Sequence, residues 1–316
     1  MAMTLLLGSM PLAADELKLQ DAVYLSHPTE DGIYYQVQVE RDGAWHNAGH
    51  AVLGDGRSLS GHYPPGNYRV IRPKKQWVRV WADEFDGTAL DYSRWEKEVN
   101  NYGGGNNELQ AYREDDKYCR VKDGMLQIAV YRDPHTTSDG KTQPYSSARI
   151  RSRKRGDWTY GRFEIRAKLP EGQGIWPAVW MLPTDSRYGT WAAGGEIDIL
   201  ESRGSQVDEA TGALHFGGAW PRNTHLSHRY KLPGKNAAEE FHLYRLEWTP
   251  DEIRWYVDDK LCQTRRKDEW FSENARDNER APFDQPFHLI VNVAVDGMFF
   301  AGTSQKADLL PPDAFP

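Results

Sequence analysis

The chain has 316 residues with 46 acidic and 39 basic side chains, a formal net charge of -7. That balance gives no global attraction for phosphate backbones or anionic lipid, so nucleic acid and membrane surfaces are excluded as partners and a neutral polymer stays permitted. The length suits one main domain with a small appendage. Aromatic residues make up 12% of the chain, with 12 Trp and 16 Tyr, which suits flat rings laid against ligands or packed in a β-core.

In chain order, Met1 to Ala14 holds a short apolar run from Thr4 to Leu7, then small residues ahead of Asp15. It resembles the hydrophobic and cleavage parts of a secretory signal, although no Lys or Arg precedes Lys18. Read as a signal remnant, it predicts a secreted or periplasmic protein. No later stretch approaches the roughly 20 apolar residues of a membrane span.

Residues 15–72 read as a small β-rich module of unassigned role. Ile33, Tyr35, Val37 and Val39 alternate with polar residues, and Asp42-Gly43, Gly54-Asp55-Gly56 and Pro64 to Asn67 mark tight turns. Its candidate glycan-contacting rings are Trp45, Tyr34 and Tyr35, with a spacer role as the alternative. Arg72 to Lys75 reads as a linker, and residues 73–316 as the main domain.

Within that domain Tyr92 to Trp95 and Asn106 to Tyr112 are candidates for single helical turns. Phe163, Ile165, Ala167 and Leu169 alternate strictly with charged residues, as Ile253, Trp255 and Val257 alternate with polar or aromatic neighbours. Many short strands without a βαβ rhythm predict an all-β antiparallel sandwich. Cys119 and Cys262 are too few for a disulfide framework or zinc ribbon and read as ordinary strand residues.

The run Gly194 to Glu201 is the most informative segment, placing Glu196, Asp198 and Glu201 among apolar neighbours. On a regular strand Glu196 and Asp198 share a face and Glu201 points the other way. A β-bulge between Asp198 and Glu201 would bring it back, and bulges are enriched beside active sites. Clustered carboxylates repel one another, so a structural strand seldom carries them inward. An exposed acidic strand or a calcium site is the competing reading from the residues alone. Glycoside cleavage fits better: Glu196 attacks the anomeric carbon and Glu201 acts as acid and then base, a pair roughly 5–5.5 Å apart giving retention. Asp198 would orient the nucleophile and raise its neighbour's pKa.

With Glu196, Asp198 and Glu201 spaced in its bulged form, the chain resembles glycoside hydrolase family 16, laminarinase branch. The likeness runs from about Val78 to the C-terminus, through the blocks Trp81–Gly87, Asn106–Gln110, Ser147–Arg149, Tyr160–Glu164, Gly172–Met181, Gly194–Glu201 and Asp284–Phe287. The resemblance implies a β-jelly-roll sandwich whose concave face is a glycan cleft. It also implies retaining endo-hydrolysis of β-1,3-glucan, with mixed β-1,3/1,4-glucan as a further substrate, by a monomer that requires no cofactor. By matching position Trp191 would stack on the sugar beside the scissile bond. Asn107, Glu108, Arg149, Trp176, Trp180, His215 and Gln285 would line the cleft, with a core role as the alternative for Trp180.

The stretches Glu201 to Gly204 and Val295 to Phe300 resemble invertebrate and marine-type relatives more than the common bacterial pattern, which has a Trp in place of the Phe pair. Two rival readings follow: a β-1,3-glucan recognition protein that binds without cutting, and a same-fold hydrolase of an algal galactan. Retention of Glu196, Asp198 and Glu201 weighs against the first. The resemblance further implies a structural calcium, for which Glu84 and Gly124 match two of three ligands. The third lies on a final strand that the sequence does not display before Pro316, so the domain is expected to lack that strand and expose its neighbours' edges.

Overall fold

The computed structural model describes residues 23–30, 34–49, 52–54, 56–72, 77–137, 140–232 and 237–302. The described residues up to Val78 form one compact unit and those from Arg79 a second.

The second unit is a sandwich of two antiparallel sheets. The larger runs in the order Asn223–Lys231, Glu209–Gly217, Glu196–Glu201, Ile175–Pro183, Phe287–Val295, Arg149–Arg151, Glu96–Lys97, with Asp157–Trp158 also pairing Phe287–Val295. The smaller runs Gly161–Ala167, His242–Trp248, Glu252–Val257, Lys260–Arg266. Among the described residues, helix is confined to the 3-10 turns Lys267–Glu269 and Met298–Phe300.

Alternation dictates what lies between the sheets. From the smaller sheet come Phe163, Ile165, Tyr244, Leu246, Trp248, Ile253, Trp255 and Val257; from the larger, Ile150, Val179, Met181, Ile197, Ile199, Leu200, Leu214 and Leu289. Burying a side chain such as Leu246 or Phe163 contributes about 1.5–3 kcal/mol. Leu169, expected on the same strand as Phe163, lies beyond the strand's end yet still packs into this core. Cys119 and Cys262 are free thiols on separate strands.

Of the two expected helical turns, one forms. Trp95 N donates to Asp91 O at 2.9 Å, closing a turn over Tyr92 to Trp95. Asn106 to Tyr112 does not form a helical turn: a tight turn gives way to the strand Gln110–Tyr112, which pairs in parallel with Tyr145–Ser147. The three glycines before Asn106 explain this, since Gly103, Gly104 and Gly105 all take positive φ, a conformation that stops helix propagation.

On the smaller sheet Gly161–Ala167 pairs on one side only, with His242–Trp248, and Met125–Ile128 pairs only with Cys119–Lys122 among the described residues. A cavity of about 520 Å³ lies there, lined in part by Met125, Ile128, Ile165, Leu169, Val179 and Phe241. The expected lack of a final strand concerns residues 303–316, which lie outside the described residues.

In the first unit, Tyr34–Arg41 pairs with Ala44–Asn47 and with Tyr68–Ile71. Asp42 and Gly43, both at positive φ (50° and 74°), form its two-residue hairpin turn, as Asp-Gly is suited to do. Val37 and Val39 are buried as the alternation predicts. Tyr35 corrects the reading of it as a glycan contact: it is 1% exposed and its hydroxyl accepts from Glu30 N at 3.0 Å. The Arg69 guanidinium covers Trp45 at 4.2 Å from the ring centroid, leaving at most one open face. The side chain of Tyr34 and the whole of Ile33 lie outside the described residues.

Candidate active site

The site begins with the geometry of the Glu196–Glu201 strand. Its pairing with Glu209–Gly217 shifts between Asp198, opposite Ala213, and Glu201, opposite Thr211, and its pairing with Ile175–Pro183 shifts at Val179/Trp180. Three residues on one strand face two on each neighbour, which is the expected bulge. Ile199 and Leu200 consequently both turn into the core, while Glu196, Asp198 and Glu201 share the opposite face. Trp255 of the smaller sheet donates from Nε1 to Asp198 O at 2.8 Å, tying the bulge backbone to the core. Gly212 permits that approach, because a Cβ there would lie 2.6 Å from Trp255 Cδ1.

Each carboxylate has its own partner. Trp191 Nε1 donates to Glu196 Oε2 at 2.9 Å, and Trp176 Nε1 donates to Glu201 Oε1 at 3.0 Å. His215 Nε2 lies 3.3 Å from Asp198 Oδ2 and 3.7 Å from Glu196 Oε1. The side chain of Asp198 is 4% exposed and that of Glu196 14%, so all act at low local dielectric, where charge interactions are strong.

Burial, and then the Asp198 charge, push the Glu196 carboxyl up to about 8. Burial raises Glu201 as well, well above the usual carboxylate range, with Asp198 again adding, while His215 and the Trp176 hydrogen bond draw it back. Burial alone would lower His215, but its contact with Asp198 outweighs this and raises the imidazole to about 9. At neutral pH His215 is therefore a cation beside Asp198. Ligand atoms of Glu196, Asp198 and His215 lie within 4.8 Å of one another, a spacing a cation could bridge; the imidazolium already supplies the counter-charge.

The sequence-predicted cleft residues fall into three groups. Trp191, His215 and Trp176 touch the carboxylates directly. Trp180 lies on the cleft face, not in the inter-sheet core, donating to Asn292 Oδ1 at 2.7 Å, with the Arg149 guanidinium 4.7 Å from its ring centroid. Arg149 itself is buried and faces Glu98 at 3.2 Å. Asn107 is exposed at φ 58° on the turn after Gly105.

Two residues are placed differently from the reading. Gln285 does not line the cleft: it is 1% exposed and donates to Gly194 O and Pro282 O at 2.9 and 3.1 Å. It braces the segment leading into Glu196, where Gly195 at φ 88° has no room for a Cβ against Pro282. Glu108 is buried under the glycine turn and accepts from Gln110 Nε2 at 2.6 Å. Both are polar groups that the fold consumes internally.

Glu84 and Gly124 border the same cavity beside the smaller sheet. Arg79 Nη1 stands 3.5 Å from Glu84 Oε1, and the third ligand that the resemblance implies lies outside the described residues.

Asn292, Tyr112, Glu98 and His225 escaped the sequence reading. Asn292 joins Trp180 to Tyr112, whose hydroxyl accepts from Asn292 Nδ2 at 3.0 Å. His225, opposite His215 across the sheet, stacks on it at 5.4 Å. Only strand register reveals such partners.

Residues 106–307 match the profile of glycosyl hydrolases family 16. The chain is a family 16 glycosyl hydrolase. The enzyme is 43% identical over 76% of its length to a beta-glucanase of Rhodothermus marinus, covering 81% of that protein. It is 42% identical over 73% of its length to a glucan endo-1,3-beta-glucosidase A1 of Niallia circulans, but spans only 36% of that longer protein. The solved laminarinase of Rhodothermus marinus superposes with a TM-score of 0.64 at 41% identity, covering 76% of this chain and 93% of that one. The two-sheet sandwich of this enzyme is accordingly a β-jelly roll, with the glycan cleft on the face that carries Glu196, Asp198 and Glu201. Family 16 hydrolysis requires no cofactor.

Proposed function

We propose that this enzyme cleaves β-1,3-glucan internally, with retention of configuration, by double displacement. The observation that carries the reading is the bulge that sets Glu196 and Glu201 on one face, each held by its own indole N–H. The names of its relatives, a glucan endo-1,3-beta-glucosidase and a beta-glucanase, supply the substrate class. Mixed β-1,3/1,4-glucan is proposed as a secondary substrate.

In the first step Glu201 protonates the glycosidic oxygen as Glu196 attacks the anomeric carbon. The C–O bond to the leaving sugar breaks and a glycosyl ester forms on Glu196. In the second, Glu201 takes a proton from water, whose oxygen attacks the same carbon and releases Glu196. Asp198, paired with the His215 cation, keeps Glu196 oriented and tunes its charge. Trp191 offers its ring to the sugar at the scissile bond, with Trp180 and Arg149 further along the cleft face. The enzyme is proposed to act as an exported monomer, a reading supported by the signal-like Thr4 to Leu7 run.

Incubation with laminarin, lichenan and agarose beside a Glu196→Ser control tests this. Oligosaccharides from laminarin, absent with the control, are expected. Laminarin binding without new reducing ends would favour a recognition protein, and products from agarose alone a galactan hydrolase.

A further inference from the structure

The 3-10 turn Met298–Phe300 ends next to the acid/base without touching it. The Phe299 ring lies parallel to the Trp176 indole, 4.4 Å between centroids and 7° between planes. On the ring's account a second layer forms: the Arg203 guanidinium stands 4.3 Å from the Phe299 centroid, and Arg203 Nη2 donates to Phe299 O at 2.9 Å. The same indole donates from Nε1 to Glu201 Oε1. Guanidinium, phenyl, indole and carboxylate thus form one continuous chain of contacts.

Backbone fixes where this stack stands. Asp296 N donates to Gly174 O and Met298 N to Asn106 O, each at 2.7 Å. Asp296 and Gly297 take positive φ (59° and 91°), and a Cβ on Gly297 would lie 2.8 Å from Asn106 O. The turn is therefore held by main-chain bonds to two other loops before any substrate arrives. Phe299 also covers one face of Trp176, so the indole has one face at most for a sugar, and its N–H is committed to Glu201. An indole held only by packing would swing about its χ angles; flat stacking on both sides of Phe299 removes that freedom.

We propose that Phe299, backed by Arg203, is a positioning residue that holds the Trp176 indole N–H on Glu201 and so keeps the general acid aimed at the leaving-group oxygen. The inference rests on the hydrolysis proposed above. Phe299 is the cleaner probe of the two, because Arg203 also carries a charge close to Glu201.

The test compares wild type, Phe299→Ala, Phe299→Leu and Phe299→Tyr on two substrates. Laminarin needs a proton on its leaving oxygen; 2,4-dinitrophenyl β-laminaribioside, with an acidic phenol, does not. Phe299→Ala and Phe299→Leu are expected to lose at least about ten-fold in kcat/KM on laminarin and to stay within about two-fold in the glycosylation rate of the aryl glycoside. Because the indole hydrogen bond draws the Glu201 pKa down, its loss should move the alkaline limb of the laminarin profile to higher pH. Phe299→Tyr, which keeps the flat ring, should restore both. Equal losses on the two substrates with an unmoved limb would overturn the inference and leave Phe299 as packing. A folded wild type inactive on both substrates would instead overturn the hydrolysis reading on which it rests.

Discussion

The two faces of the Glu196–Glu201 strand make opposite use of the same six residues. Toward the core, Ile197, Ile199 and Leu200 lie with Trp255 and Leu214 in an apolar interior. Toward the cleft, Glu196, Asp198 and Glu201 sit in close company at the same low dielectric, Glu196 and Glu201 each accepting from an indole N–H and Asp198 facing the His215 ring 3.3 Å away. The core face gains from burial at no electrostatic cost; on the cleft face burial and the Asp198 charge raise Glu196 and Glu201, and the His215 cation offsets part of that rise. The bulge makes both possible, because it sends two consecutive residues inward and frees Glu201 to return outward. Stability and chemistry are thereby separated by which way a side chain points.

Substitutions on the cleft face should abolish chemistry and leave the fold. Glu196→Ser should cost more than about 10⁴-fold in laminarin hydrolysis, the scale of removing a covalent nucleophile, with an unfolding midpoint close to wild type; reducing-end assays and thermal melts check both. Glu201→Gln should cost about 10²–10⁴-fold, as for loss of general acid–base catalysis, again with an unfolding midpoint close to wild type in the same assay and melt.

On the core face the reverse is expected. Leu200→Ala should destabilise by about 2–5 kcal/mol, measured by denaturant unfolding, while kcat of the folded fraction stays near wild type. A large kcat loss there would break the separation of the two faces.

The smallest expected effect is a displacement of the pH profile. Glu196 must be ionised to attack and is pushed up to about 8, so the acid limb of kcat/KM should lie above the ordinary carboxylate range. Glu201 must be protonated for the first step and sets the alkaline limb. The His215 cation lowers both glutamates, so its replacement in His215→Gln raises both. Both limbs should then move to higher pH, and a shift in the opposite sense would contradict the assigned charge of His215.

Much of this was legible in the sequence because it depends on local periodicity. The inward Phe163 and Ile165, the Asp42-Gly43 hairpin and the need for a bulge before Glu201 all follow from side-chain alternation and turn chemistry. Cross-strand register is not local. It sets Asn292 against both Ala178 and Arg149, and His225 against His215, and no spacing along the chain encodes it. Gln285 and Glu108 were misread for a related reason. A polar side chain matched by position to a cleft can equally satisfy a buried carbonyl or turn, as Gln285 does for Gly194, and only burial distinguishes the two. Phe299 carried no polar signal at all, and its significance arises from the ring it lies against.

The central claim is that Glu196 forms a covalent bond to the sugar. Incubation with an activated 2-deoxy-2-fluoro-β-laminaribioside, followed by proteolysis and mass spectrometry, tests it directly. The account predicts one added disaccharide on the peptide containing Glu196, absent in Glu196→Ser. Label on the Glu201 side chain, or inactivation with no covalent adduct together with an inverted anomeric product, would contradict it.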